Sequence, residues 1–318
     1  MFSGENEIKV RTDLALETKE SLESDGSMRG VIFDEEYDEE HDIRISRLEI
    51  LNALGERNMG RAKGVYYTFE TSPMSFNDGE CHRDISEFLA KYLRDIISKH
   101  MKDKKPPYHV LVVGLGNREA TPDALGPYVV NNLDITEGIG DGGENVFAYV
   151  SALSPGVMAQ TGMETAEILK GVVDNTHPDC IIVVDALAAR STTRLANTIQ
   201  LADTGIMPGS GVGNHRNAID RNNMGVPVIA IGVPTVVDAA TIVGDAMERM
   251  LEALEEHSGV LSIRRALDSF DNSERKQFMW ELMPENMSGM YVTPKDVDET
   301  VKRISYTLSE AINIAMQA

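Results

Sequence analysis

Two aspartates of this 318-residue chain follow apolar runs that read as buried strands. Asp123 lies in Thr121-Pro122-Asp123-Ala124-Leu125-Gly126-Pro127, shortly after Leu111-Val112-Val113-Gly114-Leu115-Gly116-Asn117. Asp185 directly follows Ile181-Ile182-Val183-Val184. In an open α/β sheet, ligands bind outside the carboxyl ends of the strands. A charge at the end of an apolar strand is costly unless it is paired or used. If the two strands are neighbours, the carboxylates face each other over one sheet edge. Close carboxylates do not both ionise easily, so one keeps a proton. One can then act as acid and the other as base on a water molecule, the chemistry of peptide hydrolysis without metal. The same pair with a third ligand could instead hold a divalent metal. Structural roles are also open: Asp123 in the first turn of a helix capped by Thr121 and begun by Pro122, and Asp185 bonded to a loop.

Other motifs narrow the chemistry. Gly114-x-Gly116 begins a dinucleotide-binding fingerprint, but Glu119 stands where its third glycine belongs. This counts against a non-hydrolytic nucleotide-binding module. The phosphate-cradling Gly-x-x-x-x-Gly-Lys loop is absent, as are His-Glu-x-x-His and Cys-x-x-Cys, so no common zinc signature is present. Gly-x-Ser-x-Gly is also missing, and Cys81, placed in a polar loop beside His82, is no nucleophile–base pair. Cys180 reads as a buried free thiol. The loop containing Gly209, Gly211 and Gly213 could approach a bound peptide or donate N–H groups to an oxyanion, or be a surface loop. His215 follows it as a possible ligand or proton carrier.

The elements that must position these residues form an α/β pattern. Apolar runs at 110–113, 146–150, 180–184 and 226–231 predict strands, alternating with helices over 122–133 and 162–174. Fully apolar strands between helices imply a parallel sheet covered on both faces. Strands are also expected over 43–50 and 64–70, and helices over 85–97, 235–254 and 301–315. Capping boxes are expected at Thr161-x-x-Glu164 and Thr235-x-x-Asp238, and a cap at Thr293-Pro294. Residues 1 to about 30 read as an extended polar arm, and Asp34–Glu40 as a solvated acidic loop. The net charge of −21 argues against direct contact with nucleic acid. No apolar run is long enough to cross a membrane, and the charged N-terminus lacks a signal-peptide core, so an intracellular protein is expected.

The chain resembles the germination proteases of spore-forming bacteria. The resemblance rests on residues spread over nearly its whole length: Val10-Arg11-Thr12-Asp13-Leu14-Ala15, Gly114-Leu115-Gly116-Asn117 with Thr121–Pro127, Ser154-Pro155-Gly156-Val157-Met158, Asp185–Arg190, Gly225–Ala239 and Val292–Lys295. It implies an endopeptidase that starts the degradation of small acid-soluble spore proteins in the cytoplasm of the forespore and spore core. It also implies a homotetrameric zymogen that removes its own propeptide. The implied cleavage pattern is an acid, an apolar residue and Ala; Asp13-Leu14-Ala15 fits it, with cleavage after Asp13. Residues 1–13 would then be the propeptide and 14–318 one peptidase domain, with an accessory segment over 14–105. The implied catalytic pair falls on Asp123 and Asp185, with no cofactor. The implied fold is α/β, a mainly parallel sheet flanked by helices and similar to hydrogenase-maturation endopeptidases, with an added N-terminal β-containing region. That similarity keeps a metal-dependent peptidase using the same acids as the alternative.

Overall fold

The apolar runs at 110–113, 180–184 and 226–231 lie side by side inside one mixed sheet, because only a strand covered on both faces can bury such a run, and the run at 146–150 falls on the strand at its edge. The structure, a computed structural model, describes residues 12–23, 29–71, 79–138, 146–208, 217–257 and 289–317. In chain order its elements are α1 (Ala15–Glu23), β1 (Val31–Asp38), β2 (Ile43–Ile50), α2 (Ala53–Met59), β3 (Gly64–Glu70), α3 (Gly79–His100) and β4 (Tyr108–Gly114). A 3-10 turn (Thr121–Asp123) leads into α4 (Leu125–Asn131), then β5 (Ala148–Leu153), α5 (Met158–Thr161), α6 (Thr165–Thr176), β6 (Cys180–Ala189) and β7 (Thr198–Ala202). The chain continues through α7 (Arg221–Met224), β8 (Val228–Asp238), α8 (Ala239–His257), β9 (Tyr291–Val292) and α9 (Val297–Met316).

The strand order is β1-β2-β3-β7-β8-β6-β4-β5, with β9 added to the end of β8. Strands β5, β4, β6 and β8 run parallel. From β8 outward, β7, β3, β2 and β1 pair antiparallel. The fold class is the expected one, and the N-terminal β region is continuous with the parallel sheet. One face carries Val110, Val112, Ile182, Val184, Ile199 and Ile231 against α3, α4 and α9. Alternate residues, including Leu111, Val113, Ile181 and Val183, point to the other face, under Leu169 and Val173 of α6. On the antiparallel half of that second face, Ala15 packs with Leu48, Ile50, Tyr66 and Ala202. No described helix is long and apolar enough to cross a membrane.

Several expectations are corrected. The polar arm contains α1, whose start is buried: Leu14 and Ala15 are both fully covered. The acidic run from Asp34 to Asp38 lies in β1 rather than a loop; it pairs with β2 and leaves its carboxylates in water, as suits an edge strand. Cys81 sits within α3, not in a loop. Thr235 caps no helix: β8 runs on to Asp238, whose Oδ1 accepts the N–H groups of Ala240 and Thr241 at the start of α8. Thr161 accepts from Met163, while Glu164, the residue preceding α6, accepts from the Asn217 N–H, so neither makes the expected box. Thr293 donates to the Thr235 carbonyl, and α9 starts after Asp296.

Candidate active site

The loop after β4 is shaped by backbone contacts that leave no room for side chains. The Leu115 N–H donates to the Val184 carbonyl at 2.8 Å, so the chain leaving β4 stays bonded to the middle of β6 for one more residue. Gly126, near the start of α4, lies against this bond; a Cβ there would stand 2.6 Å from the Val184 carbonyl oxygen. Gly116 has φ +111°, and a methyl group on it would collide with the Asp123 carbonyl. Asp123 closes the loop, its Oδ2 accepting the Asn117 N–H at 2.7 Å. Thr235 of β8 donates to the Pro122 carbonyl at 2.7 Å, tying the turn down. Asp123 thus ends a 3-10 turn that packs on β6 and β8, and α4 begins two residues later without a side-chain cap.

Asp185 reaches the same edge by strand direction. β4 pairs with β6 up to Gly114 opposite Val184, so Asp185 is the first β6 residue beyond the paired part of β4. It is 7% exposed, sits opposite Gly232 of β8, and accepts the Ala186 N–H at 3.0 Å. Because the strands are parallel, Asp185 and the loop that carries Asp123 both lie beyond the carboxyl end of β4. Among the described residues, no group of three or more His, Cys, Asp or Glu is placed to hold a metal ion. Gly209, Gly211, Gly213 and His215 lie outside the described residues.

Asp13 and Leu14 are held beside this edge by residues that sequence reasoning missed. The Asp13 N–H donates to the Ala188 carbonyl, and the Ala188 N–H donates to Asp13 Oδ2, both at 2.9 Å. Gln200 Nε2 donates to the Asp13 carbonyl at 3.2 Å, while Gln200 Oε1 accepts the Ala15 N–H at 2.6 Å. Leu14 is fully buried against Leu187, Ala189 and Val237, with Leu195 and Ile242 around it. Arg61 donates to the Thr12 carbonyl at 3.1 Å; burial pushes its pKa below the usual arginine value, against the attraction of Asp13 and Glu17. Glu17 accepts the Arg190 and Ser191 N–H groups and faces Arg194 at 3.4 Å. Burial alone would lower the Arg194 pKa, but Glu20, Glu70 and Glu17 outweigh it and raise it. A polar cleft of about 230 Å³ lies here, lined by Glu17, Glu20, Arg190, Arg194 and Asp245, and it includes neither Asp123 nor Asp185. The signal that could have found Gln200 is an amide inside the covered strand Thr198-Ile199-Gln200-Leu201-Ala202.

Residues 8–261 match the germination protease family. The germination protease of Caldanaerobacter subterraneus subsp. tengcongensis is 45% identical, over 98% of this chain and 95% of its own length. That of Clostridium acetobutylicum is 41% identical over 97% and 95%, and that of Bacillus pumilus 36% over 97% and 93%. Among solved structures, the [NiFe] hydrogenase maturation protease HycI from Thermococcus kodakarensis aligns with a TM-score of 0.32 and 14% identity, covering 70% of this chain and 98% of its own. On the family match and the near full-length identities, this chain belongs to the germination protease family.

Proposed function

We propose that this germination protease is an endopeptidase that begins the degradation of small acid-soluble spore proteins, with Asp123 and Asp185 assisting attack of water on the peptide bond. One carboxylate takes a proton from the water as its oxygen bonds to the peptide carbonyl carbon. The other, protonated, donates to the group that leaves as an amine. The observation that carries this reading is the placement of two acids beyond the carboxyl end of β4, one in the turn that follows it and one buried in β6 just past its pairing with β4. A buried carboxylate is expensive to keep unless it is hydrogen-bonded, paired or used. The proposal includes a zymogen trimmed by itself after Asp13, with residues 1–13 as propeptide and 14–318 as one peptidase domain. It also includes a homotetramer acting in the cytoplasm of the forespore and spore core.

The test uses full-length Asp123→Asn and Asp185→Asn chains. Cleavage of a purified small acid-soluble spore protein and appearance of an N-terminal Leu14 are followed by mass spectrometry. Each substitution should lower both rates by roughly 10²–10⁴-fold, the usual scale for losing a general acid or base. Full trimming and substrate cleavage by either variant, folded as the parent, would overturn the pair.

A further inference from the structure

We propose that Gln200 is a positioning residue for self-trimming, which holds the Asp13–Leu14 peptide group over the face of the sheet from which Asp185 projects. The inference rests on the reading of Asp123 and Asp185 as the catalytic pair and adds what brings the bond to them. Gln200 of β7 pairs with Gly232 of β8, and Gly232 pairs in turn with Asp185 of β6. Residues opposite one another on adjacent strands project to one face. The three residues therefore form a row in which an amide and a carboxylate stand on the same face with a glycine between them. Their Cα atoms are separated by two strand spacings, about 10 Å. The glycine makes room for its neighbour: a Cβ at Gly232 would stand 2.6 Å from Leu187 Cγ, and Leu187 is one wall of the Leu14 pocket.

The amide does for the segment what a neighbouring strand would do. It donates to the carbonyl before Leu14 and accepts the N–H after it, which fixes the register of the acid–leucine–alanine stretch. Ala188 pairs with the Asp13 backbone and also gives its N–H to the Asp13 carboxylate, so the acid is read by the strand that carries Asp185. The pocket takes the leucine whole. Gln200 is itself 8% exposed with both ends of its amide engaged. A buried amide with two satisfied ends is well ordered, and an empty one is costly. The sequence class held is thus an acid, a bulky aliphatic residue and Ala, with the peptide bond after the acid presented.

The experiment measures the first-order appearance of chains beginning at Leu14, by intact mass, in wild type, Gln200→Ala, Gln200→Glu and Asp185→Asn, with Tm for each. Gln200→Ala should trim at least tenfold more slowly. Gln200→Glu keeps the acceptor for Ala15 but lacks the donor for the Asp13 carbonyl until it takes up a proton. Its rate relative to wild type should therefore climb as pH falls, whereas that of Gln200→Ala stays flat. Asp13, Glu17 and Arg61, the charged groups around the segment, are common to all chains, so the ratio isolates residue 200. Wild-type rates in both Gln200 variants would overturn the proposal, as would losses that follow Tm with no pH-dependent ratio. So would a wild-type chain that never yields an N-terminal Leu14. Normal trimming by Asp185→Asn alongside slow trimming by Gln200→Ala would instead overturn the catalytic pair and leave the positioning role standing.

Discussion

The parallel and antiparallel halves of the sheet serve the site in different ways. In the parallel half, β4 ends beside Val184 while β6 runs on to Ala189, so Asp185 and the loop that carries Asp123 both lie beyond the carboxyl end of β4. The antiparallel half has no common carboxyl edge; what it contributes comes from register, through Gln200 opposite Gly232, and from the surface on which α1 lies. The parallel half is covered on both faces, while the far edge of the antiparallel half, β1, is acidic and open to water. Asp185 lies in the doubly covered half, and Asp13 and Leu14 bridge the two halves, held by Ala188 and the β6–β8 pocket on one side and by Gln200 of β7 on the other.

This contrast can be broken by cavity substitutions of similar size. Ile182→Ala, in the fully buried centre of β6, should lower global stability by about 4 kcal/mol, read by urea unfolding. Leu14→Ala should cost about 3 kcal/mol in local terms, read as faster hydrogen exchange over α1 with the parallel strands still protected. Equal loss of protection in both halves after Leu14→Ala would show that they unfold as one unit. Arg194→Ala leaves Glu17 buried without its cation and should cost about 2 kcal/mol, less than a fully buried pair because Glu20 is half exposed. An unchanged Tm would remove that ion network from the account of how α1 is held.

The smallest effect concerns the thiols. Burial pushes the Cys180 thiol up to about 12, so native protein at pH 8 should be alkylated at Cys81 and spared at Cys180. Because the folded pKa lies above the unfolded value of about 8.5, the folded state binds the extra proton between those limits. Its contribution to stability is complete below that window and is lost as pH rises through it. Urea midpoints should fall from pH 8.5 upward; a flat profile would place Cys180 in a wetter environment than the strand around it.

The parts read from sequence were those whose burial leaves a local mark. Val110–Val113 of β4 and Cys180–Val184 of β6 are unbroken apolar runs because both of their faces are covered, and α3 repeats its apolar residues at helical spacing. The parts missed owe their form to distant partners. Helix α1 buries Glu17 and Lys19, which look solvated until Arg190, Ser191 and Arg194 are brought to Glu17 and Phe33 to Lys19. Strand β8 continues through Thr235 because β6 is equally long beside it and β9 pairs with its end. The acidic stretch of β1 is a strand only because β2 lies along it.

By itself, the sequence determined the α/β class, the two acids that follow apolar runs, the Asp13-Leu14-Ala15 stretch and the family resemblance. Each is written in consecutive residues or in the composition of one element. The tertiary structure alone decided that Gln200, Gly232 and Asp185 share a row and that Leu14 fills a pocket formed by β6 and β8. Strand order and register come from pairings between segments far apart in the chain, and local preference carries no record of which strands will meet.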